Sequence, residues 1–181
     1  CALPIYLPKP LFIVSSKSGT TTEPNDLLRY FLEKVGHEGS QFVAITDPGS
    51  ALHKLAKEKR FRYIHHGVPD IGGRYSALSH FGMIPAAAMG LPLKEFLDST
   101  EIMVQSCSSV VPPACNPGVV LGAILGTLAK KGRDKITVIT SPALHALGAW
   151  VEQLVAESTG KRGKGLIDRK SVVSGKSVDL G

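Results

Sequence analysis

The stretch Phe12-Ile13-Val14-Ser15-Ser16-Lys17-Ser18-Gly19-Thr20-Thr21-Thr22-Glu23-Pro24-Asn25 decides the fold. An apolar run stops in hydroxyl side chains gathered around one lysine and one glycine, and a helical pattern begins at once. Strand, tight loop and helix start are the opening of an α/β unit. They also make a pocket for an anion, because loop N–H groups and the positive helix end favour negative charge and the hydroxyls add donors. The sequence therefore predicts a phosphorylated small molecule at residues 15–22. No Gly-Lys-Ser/Thr closes the loop as in a Walker motif, and its single glycine does not make a dinucleotide fingerprint. Three consecutive threonines are poor helix interior and good capping material, so a Ser/Thr-rich turn with an ordinary N-cap is the plainer reading of the same residues.

Working outward, residues 11–15 read as a strand and 24–35 as a helix. Pro24 suits the first turn, Leu27, Leu28, Phe31, Leu32 and Val35 form one apolar stripe, and Gly36 can end it. Residues 41–46 read as a buried strand, Asp47-Pro48-Gly49-Ser50 as a turn and 51–59 as a short helix. Residues 61–64 are a further strand, 65–75 a Gly/Pro-rich loop and 76–89 an apolar helix. Beyond them, 93–105 and 117–130 read as helices around an irregular segment, 135–140 as an alternating strand and 143–158 as a long helix. In that last helix Leu144, Leu147, Trp150, Val151, Leu154 and Val155 share a side. This alternation predicts an α/β fold, a three-layer α/β/α sandwich on a mainly parallel sheet. Ligands of such folds bind at the carboxyl ends of strands, which is where residues 15–22 and 47–50 fall.

Bulk properties narrow the function. The 181 residues suffice for one domain or a domain and a part, and the 43% hydrophobic and 20% charged fractions are ordinary for a globular chain. The net charge of +6 is scattered, and the 6% aromatic residues do not interleave with it, so no nucleic-acid footprint is present. A positive field suits an anionic metabolite. Cys107 and Cys115 lack metal-binding spacing and read as reduced thiols. No apolar run reaches membrane-spanning length.

Two later motifs join the first. In Asp70-Ile71-Gly72-Gly73-Arg74-Tyr75-Ser76, paired glycines let backbone approach a ligand and Arg74 offers a guanidinium to developing negative charge. By itself the motif also reads as a glycine turn with a solvated arginine. In Ala156-Glu157-Ser158-Thr159-Gly160-Lys161, Glu157 ends a long helix. The negative helix end disfavours its ionised form, burial would add to that, and Lys161 would oppose it. By itself Glu157 reads as a surface residue of a last helical turn.

Together the three motifs resemble the glucose-6-phosphate isomerase family, built on flavodoxin-like sugar-isomerase domains. The likeness covers residues 11–167 and looks closest to the isomerase part of transaldolase fusion proteins. It implies that Ser16, Ser18 and Thr21 grip the sugar phosphate with Lys17 and Thr20 beside them, and that Gly72 and Gly73 lie next to the substrate. Arg74 would steady a cis-enediolate, formed when Glu157 takes the C2 proton of glucose 6-phosphate and returns it at C1. The resemblance implies no metal and no organic cofactor. It also implies a cytoplasmic enzyme of glycolysis and gluconeogenesis, a homodimer and a transaldolase domain in the parent protein, with neither nucleic acid nor membrane as partner. A non-catalytic sugar-phosphate sensor of the same fold is the alternative, although such a module has no need of Arg74 and Glu157 together. Heptose and amino-sugar isomerases share the loop but match the later motifs less, and a nucleotide-binding protein is more distant still.

Some family features are expected outside this stretch. The ring-opening histidine and a C-terminal lysine should follow residue 167, and a substrate-touching Gly/Ser-rich segment should precede residue 6. His65 and His66 read instead as surface-loop histidines and His145 as a helix-face residue. Cys1-Ala2-Leu3-Pro4-Ile5 and the segment from Asp168 to Gly181 resemble translated sequencing adapters, except at Ser174, where a stop would be expected. Residues 1–5 and 168–181 are thus expected to be artefacts. Residues 6–131 would be the first sugar-isomerase domain with connecting helices, and 132–167 the start of a second. An incomplete fold, inactive or nearly so in isolation, is the expectation.

Overall fold

Phe12-Ile13-Val14-Ser15 forms the first strand, β1 (Phe12–Ser15), in a computed structural model that describes residues 10–160, 165–168 and 172–173. It is followed by α1 (Thr22–Lys34), β2 (Phe42–Thr46), α2 (Ala51–Glu58), β3 (Tyr63–His66) and α3 (His80–Ala88). The three strands run parallel in the order β1-β2-β3, with Phe12 beside Phe42 and Val43 beside Tyr63. Parallel neighbours need a crossover between them, and α1 and α2 provide it. The central strand β2 is buried at every residue, which is why Phe42-Val43-Ala44-Ile45-Thr46 is an unbroken run rather than an alternating one. The expected α/β architecture with a parallel sheet is the one that forms.

This first unit extends to Lys94 and has its own core. Leu28 and Leu32 of α1 and Leu52 and Ala56 of α2 pack with Val14, Phe42, Ala44 and Phe61. Phe12 lies against Phe31 and Phe42 with ring centroids 4.8 Å apart in each case, and Phe42 stacks on Phe61 at 5.2 Å. Burying each large member stabilises the unit by roughly 1.5–3 kcal/mol.

Three local expectations need correction here. Leu27 is 59% exposed rather than part of the buried stripe. It lines a shallow apolar groove with Phe12, Ile13 and Pro24, beside the outer edge of β1, which pairs with no strand among the described residues. His65 and His66 belong to β3 instead of a loop, because the ladder continues to the pair Thr46–His66. Helix α3 starts at His80, four residues later than the apolar pattern suggests. Ser79 stops it there: its hydroxyl accepts the Phe81 N–H at 3.3 Å, and its own N–H closes a turn onto the Ser76 carbonyl at 2.9 Å.

α4 (Leu93–Ser106) begins at the division, and the second unit runs from Glu95. Its α5 (Pro117–Lys130) is capped by Asn116, whose side chain accepts the Val119 N–H at 3.1 Å. The expected strand at 135–140 is two short pieces, β4 (Lys135–Ile136) and β5 (Ile139–Thr140). They break apart because they pair with different partners, β6 (Ile167–Asp168) and β7 (Val172–Val173). α6 (Leu147–Thr159) is shorter than expected. A 3-10 turn over Pro142–Leu144 precedes it, with His145 ending the turn, so Leu144 and His145 fall outside the helix.

Candidate functional site

Because the strands are parallel, their carboxyl ends share one edge of the first unit, and three loops leave from it. The first is the hydroxyl loop after β1. Ser16 is 6% exposed, its N–H donates to the Ile45 carbonyl at 3.0 Å, and its hydroxyl accepts the Gly19 N–H at 3.1 Å. The Ser18 and Thr20 hydroxyls pair at 2.8 Å, and the Thr20 N–H donates to Ser18 Oγ at 3.2 Å. Gly19 is in the left-handed region at φ +70, where a Cβ would also lie 2.3 Å from the Leu52 backbone nitrogen. Only glycine fits on both grounds. Asn25 of α1 folds back to donate to the Gly19 carbonyl at 3.0 Å. Thr21 is the N-cap of α1 but makes no side-chain capping bond. The positive helix end therefore opens beside an exposed set of hydroxyls at Ser18, Thr20 and Thr21.

The second loop is the turn after β2. Asp47 takes the Lys17 ammonium at 2.5 Å, and its N–H donates to the Lys17 carbonyl at 3.1 Å. Thr46, fully buried, shares a 2.6 Å hydrogen bond with the Ser50 hydroxyl. Ser50 in turn caps α2 by accepting the His53 N–H at 3.0 Å. His53 Nδ1 accepts the Gly49 N–H at 2.8 Å, which places the ring proton on Nε2. That Nε2 is buried and meets no hydrogen-bond partner among the described residues. Loss of water around the ring holds the His53 pKa below its ordinary value, with Lys57 and His66 adding charge repulsion.

The third loop follows β3 and carries the arginine. Gly73–Tyr75 form one 3-10 turn, and the Ser76 hydroxyl donates back to the Gly73 carbonyl at 2.7 Å. Arg74 is half-buried, with its guanidinium 5.4 Å from the centre of the exposed Tyr75 ring. Neither Gly72 nor Gly73 has a positive φ, and a Cβ on Gly73 would meet nothing within 4 Å. The chain's own packing does not require glycine at 73.

The first unit thus brings together Ser16, Lys17, Ser18, Thr20 and Thr21 with the loop that bears Gly72, Gly73 and Arg74. Glu157 stands in the second unit, in the last turn of α6, and its side chain is exposed. The Gly160 N–H closes that helix onto the Ala156 carbonyl at 2.7 Å. Lys161, the last residue of the third motif, lies outside the described residues. Among the described residues no three His, Cys, Asp or Glu side chains gather into a metal-holding cluster.

Sequence reasoning placed the 47–50 turn at this edge but gave neither Asp47 nor His53 a role. One signal was available: an aspartate directly after a buried strand, at the same sheet edge as the hydroxyl loop.

No family model matches the chain. Curated proteins do. It is 35% identical over 161 residues to a glucose-6-phosphate isomerase of Parabacteroides distasonis, covering 83% of this chain and 35% of that protein. It is 37% identical over 162 residues to one of Symbiobacterium thermophilum, covering 84% and 36%. Over most of its own length the chain is similar to glucose-6-phosphate isomerases. It spans about a third of the length of the curated relatives it matches. Among solved structures, a glucose-6-phosphate isomerase from Chlamydia trachomatis superposes with a TM-score of 0.68 at 28% identity, over 94% of this chain and 35% of that one. A hypothetical protein of Thermus thermophilus superposes at 0.81 and 24% identity, over 94% of this chain and 42% of that one, and shares the fold. No helix among the described residues is long and apolar enough to cross a membrane.

Proposed function

We propose that this chain supplies the phosphate grip, the arginine and the base of an aldose–ketose isomerase that interconverts glucose 6-phosphate and fructose 6-phosphate. The observation that supports this most is the convergence of the hydroxyl loop and the arginine loop at one sheet edge in a chain similar to these isomerases. The phosphate sits among the Ser18, Thr20 and Thr21 hydroxyls and the first N–H groups of α1, with Ser16 closing the loop beneath and Lys17 beside it. An anion at such a helix start gains about 0.3–2 kcal/mol from the dipole, and each hydrogen bond to its charge adds about 1.5–3 kcal/mol. Held by its phosphate, the open-chain sugar presents C1 and C2 for reaction. Glu157 removes the C2 proton, the electron pair moves into the C1–C2 bond, and the C1 oxygen becomes the enediolate oxygen that Arg74 steadies. The C2 hydroxyl proton passes to the C1 oxygen, and return of the abstracted proton to C1 turns the C2 oxygen into the carbonyl of the ketose. Residues 6–131 and 132–167 then belong to two successive sugar-isomerase domains.

The phosphate grip is tested by Ser18→Ala with Thr21→Ala in the 181-residue chain. Glucose 6-phosphate and inorganic phosphate should each bind about tenfold or more weaker, read as amide shifts of Gly19 and Thr20 in an NMR titration, while unphosphorylated glucose is unaffected. Equal weakening of glucose and glucose 6-phosphate contradicts the assignment.

A further inference from the structure

We infer that Lys17 and Asp47 are a positioning pair that clasps the arginine-bearing loop to the hydroxyl loop, with the Lys17 ammonium engaged in that clasp rather than on the bound anion. This rests on the phosphate site proposed above and assigns its lysine a different task. An ammonium has three donors, and each already has an acceptor. Lys17 Nζ reaches Asp47 Oδ2 at 2.5 Å, the Pro69 carbonyl at 2.9 Å and the Val68 carbonyl at 3.3 Å. The last two belong to the loop that continues into Gly72, Gly73 and Arg74. The ion pair is partly withdrawn from water, with side chains 26% and 21% exposed, so solvent screens it less than a surface pair.

The backbone is built around the same contact. The Lys17 carbonyl accepts the Asp47 N–H at 3.1 Å and the Thr46 hydroxyl at 3.2 Å, fixing residue 17 to the end of β2. The Gly67 N–H donates to the Thr46 carbonyl at 2.9 Å, fixing the start of the arginine loop to the same place. A Cβ on Gly67 would lie 2.5 Å from Asp47 Oδ1 and 2.6 Å from the Phe81 ring, so glycine at 67 is what admits the carboxylate. Asp47 Oδ1 is buried with no hydrogen-bond partner among the described residues, so the Lys17 ammonium on the other oxygen is the counter-charge this carboxylate has there. With its charge matched by Asp47, Lys17 adds no net charge to the anion pocket. The phosphate is left to N–H and hydroxyl donors, and the lysine sets where Arg74 stands relative to them.

The test uses the 181-residue chain, with inorganic phosphate as the probe, and compares Lys17→Met, Asp47→Asn, the double variant and Lys17→Arg. Amide hydrogen exchange of Ile71 and Tyr75 should accelerate about tenfold or more in both single variants, with no further gain in the double variant and partial recovery in Lys17→Arg. Phosphate affinity should fall by a similar small factor, about two- to threefold, in both single variants, because a loosened loop weakens the site equally from either side. If the ammonium were instead the anion's charge partner, Lys17→Met would cost about tenfold or more while Asp47→Asn, freeing the lysine, would raise affinity; that split overturns the inference. So does unchanged exchange at Ile71 and Tyr75. Should Lys17→Met not fold, Asp47→Asn, nearly the same in shape, carries both measurements. If phosphate leaves Gly19, Thr20 and Thr21 unmoved in the parent chain, the phosphate site fails alone, and the exchange arm still decides the clasp.

Discussion

Gly19 carries the residue scale. It sits where α2 comes closest to the hydroxyl loop, and it is held in a left-handed conformation that side chains resist. Replacing it by alanine should destabilise the first unit by about 2–4 kcal/mol, the sum of left-handed strain and a contact with the Leu52 backbone that neither side can relieve. Urea unfolding read at the protein's tyrosines measures this, and a change under about 0.5 kcal/mol contradicts the geometry. The residue scale is also where the sequence was most legible. A glycine among hydroxyls, between an apolar run and a helix, marks a tight loop by its composition alone. The partner of Lys17 was illegible because it lies thirty positions away, and only the parallel register of β1 and β2 brings the two side chains together. Leu27 was misread for a related reason. Periodicity names a helix face but does not say where the sheet beneath it stops.

At the scale of elements, the strand–helix alternation through the first unit was visible because β2 needed an unbroken apolar run and α1 a stripe. Boundaries set by single hydrogen bonds were not. Ser79 delays α3, and the turn over Pro142–Leu144 shortens α6, through caps and turns that compete with helix on nearly equal terms. The junction of the 47–50 turn with α2 has a pH-dependent consequence. In the fold the Nδ1 of His53 accepts the Gly49 N–H and its ring has lost water, with Lys57 on α2 and His66 on β3 opposing a positive charge. Its folded pKa lies below the ordinary value of 6.5. As pH falls through that value the unfolded chain takes up a proton that the folded chain refuses, so stability is full above it and declines below it. Between pH 7.5 and 5.5 the urea midpoint should drop further in the parent chain than in His53→Asn, whose amide can still accept from Gly49 but cannot titrate. An equal drop in the two contradicts the assignment.

At the scale of the whole molecule, the chain spans about a third of its curated relatives. Its second unit holds an apolar helix, α5, whose Val119, Leu121 and Ile124 are exposed. The sequence marked α5 as a helix, but what covers such a face is a property of the surrounding chain and not of its own pattern. The same holds for the third motif. The residues after β1 and β3 could be predicted to meet because parallel topology sends both to one edge, whereas Glu157 lies on a helix of the other unit, which the register of the first unit's strands does not place. The central claim is therefore tested most directly in a full-length isomerase carrying this segment. Incubated with fructose 6-phosphate in deuterated water and followed by proton NMR, the unaltered protein should carry solvent deuterium into the sugar at the carbons that exchange protons. With Glu157→Gln that incorporation should fall by about a hundredfold or more, while sugar-phosphate affinity changes less than about threefold. Deuterium incorporation at the unaltered rate in the Glu157→Gln protein would contradict the account.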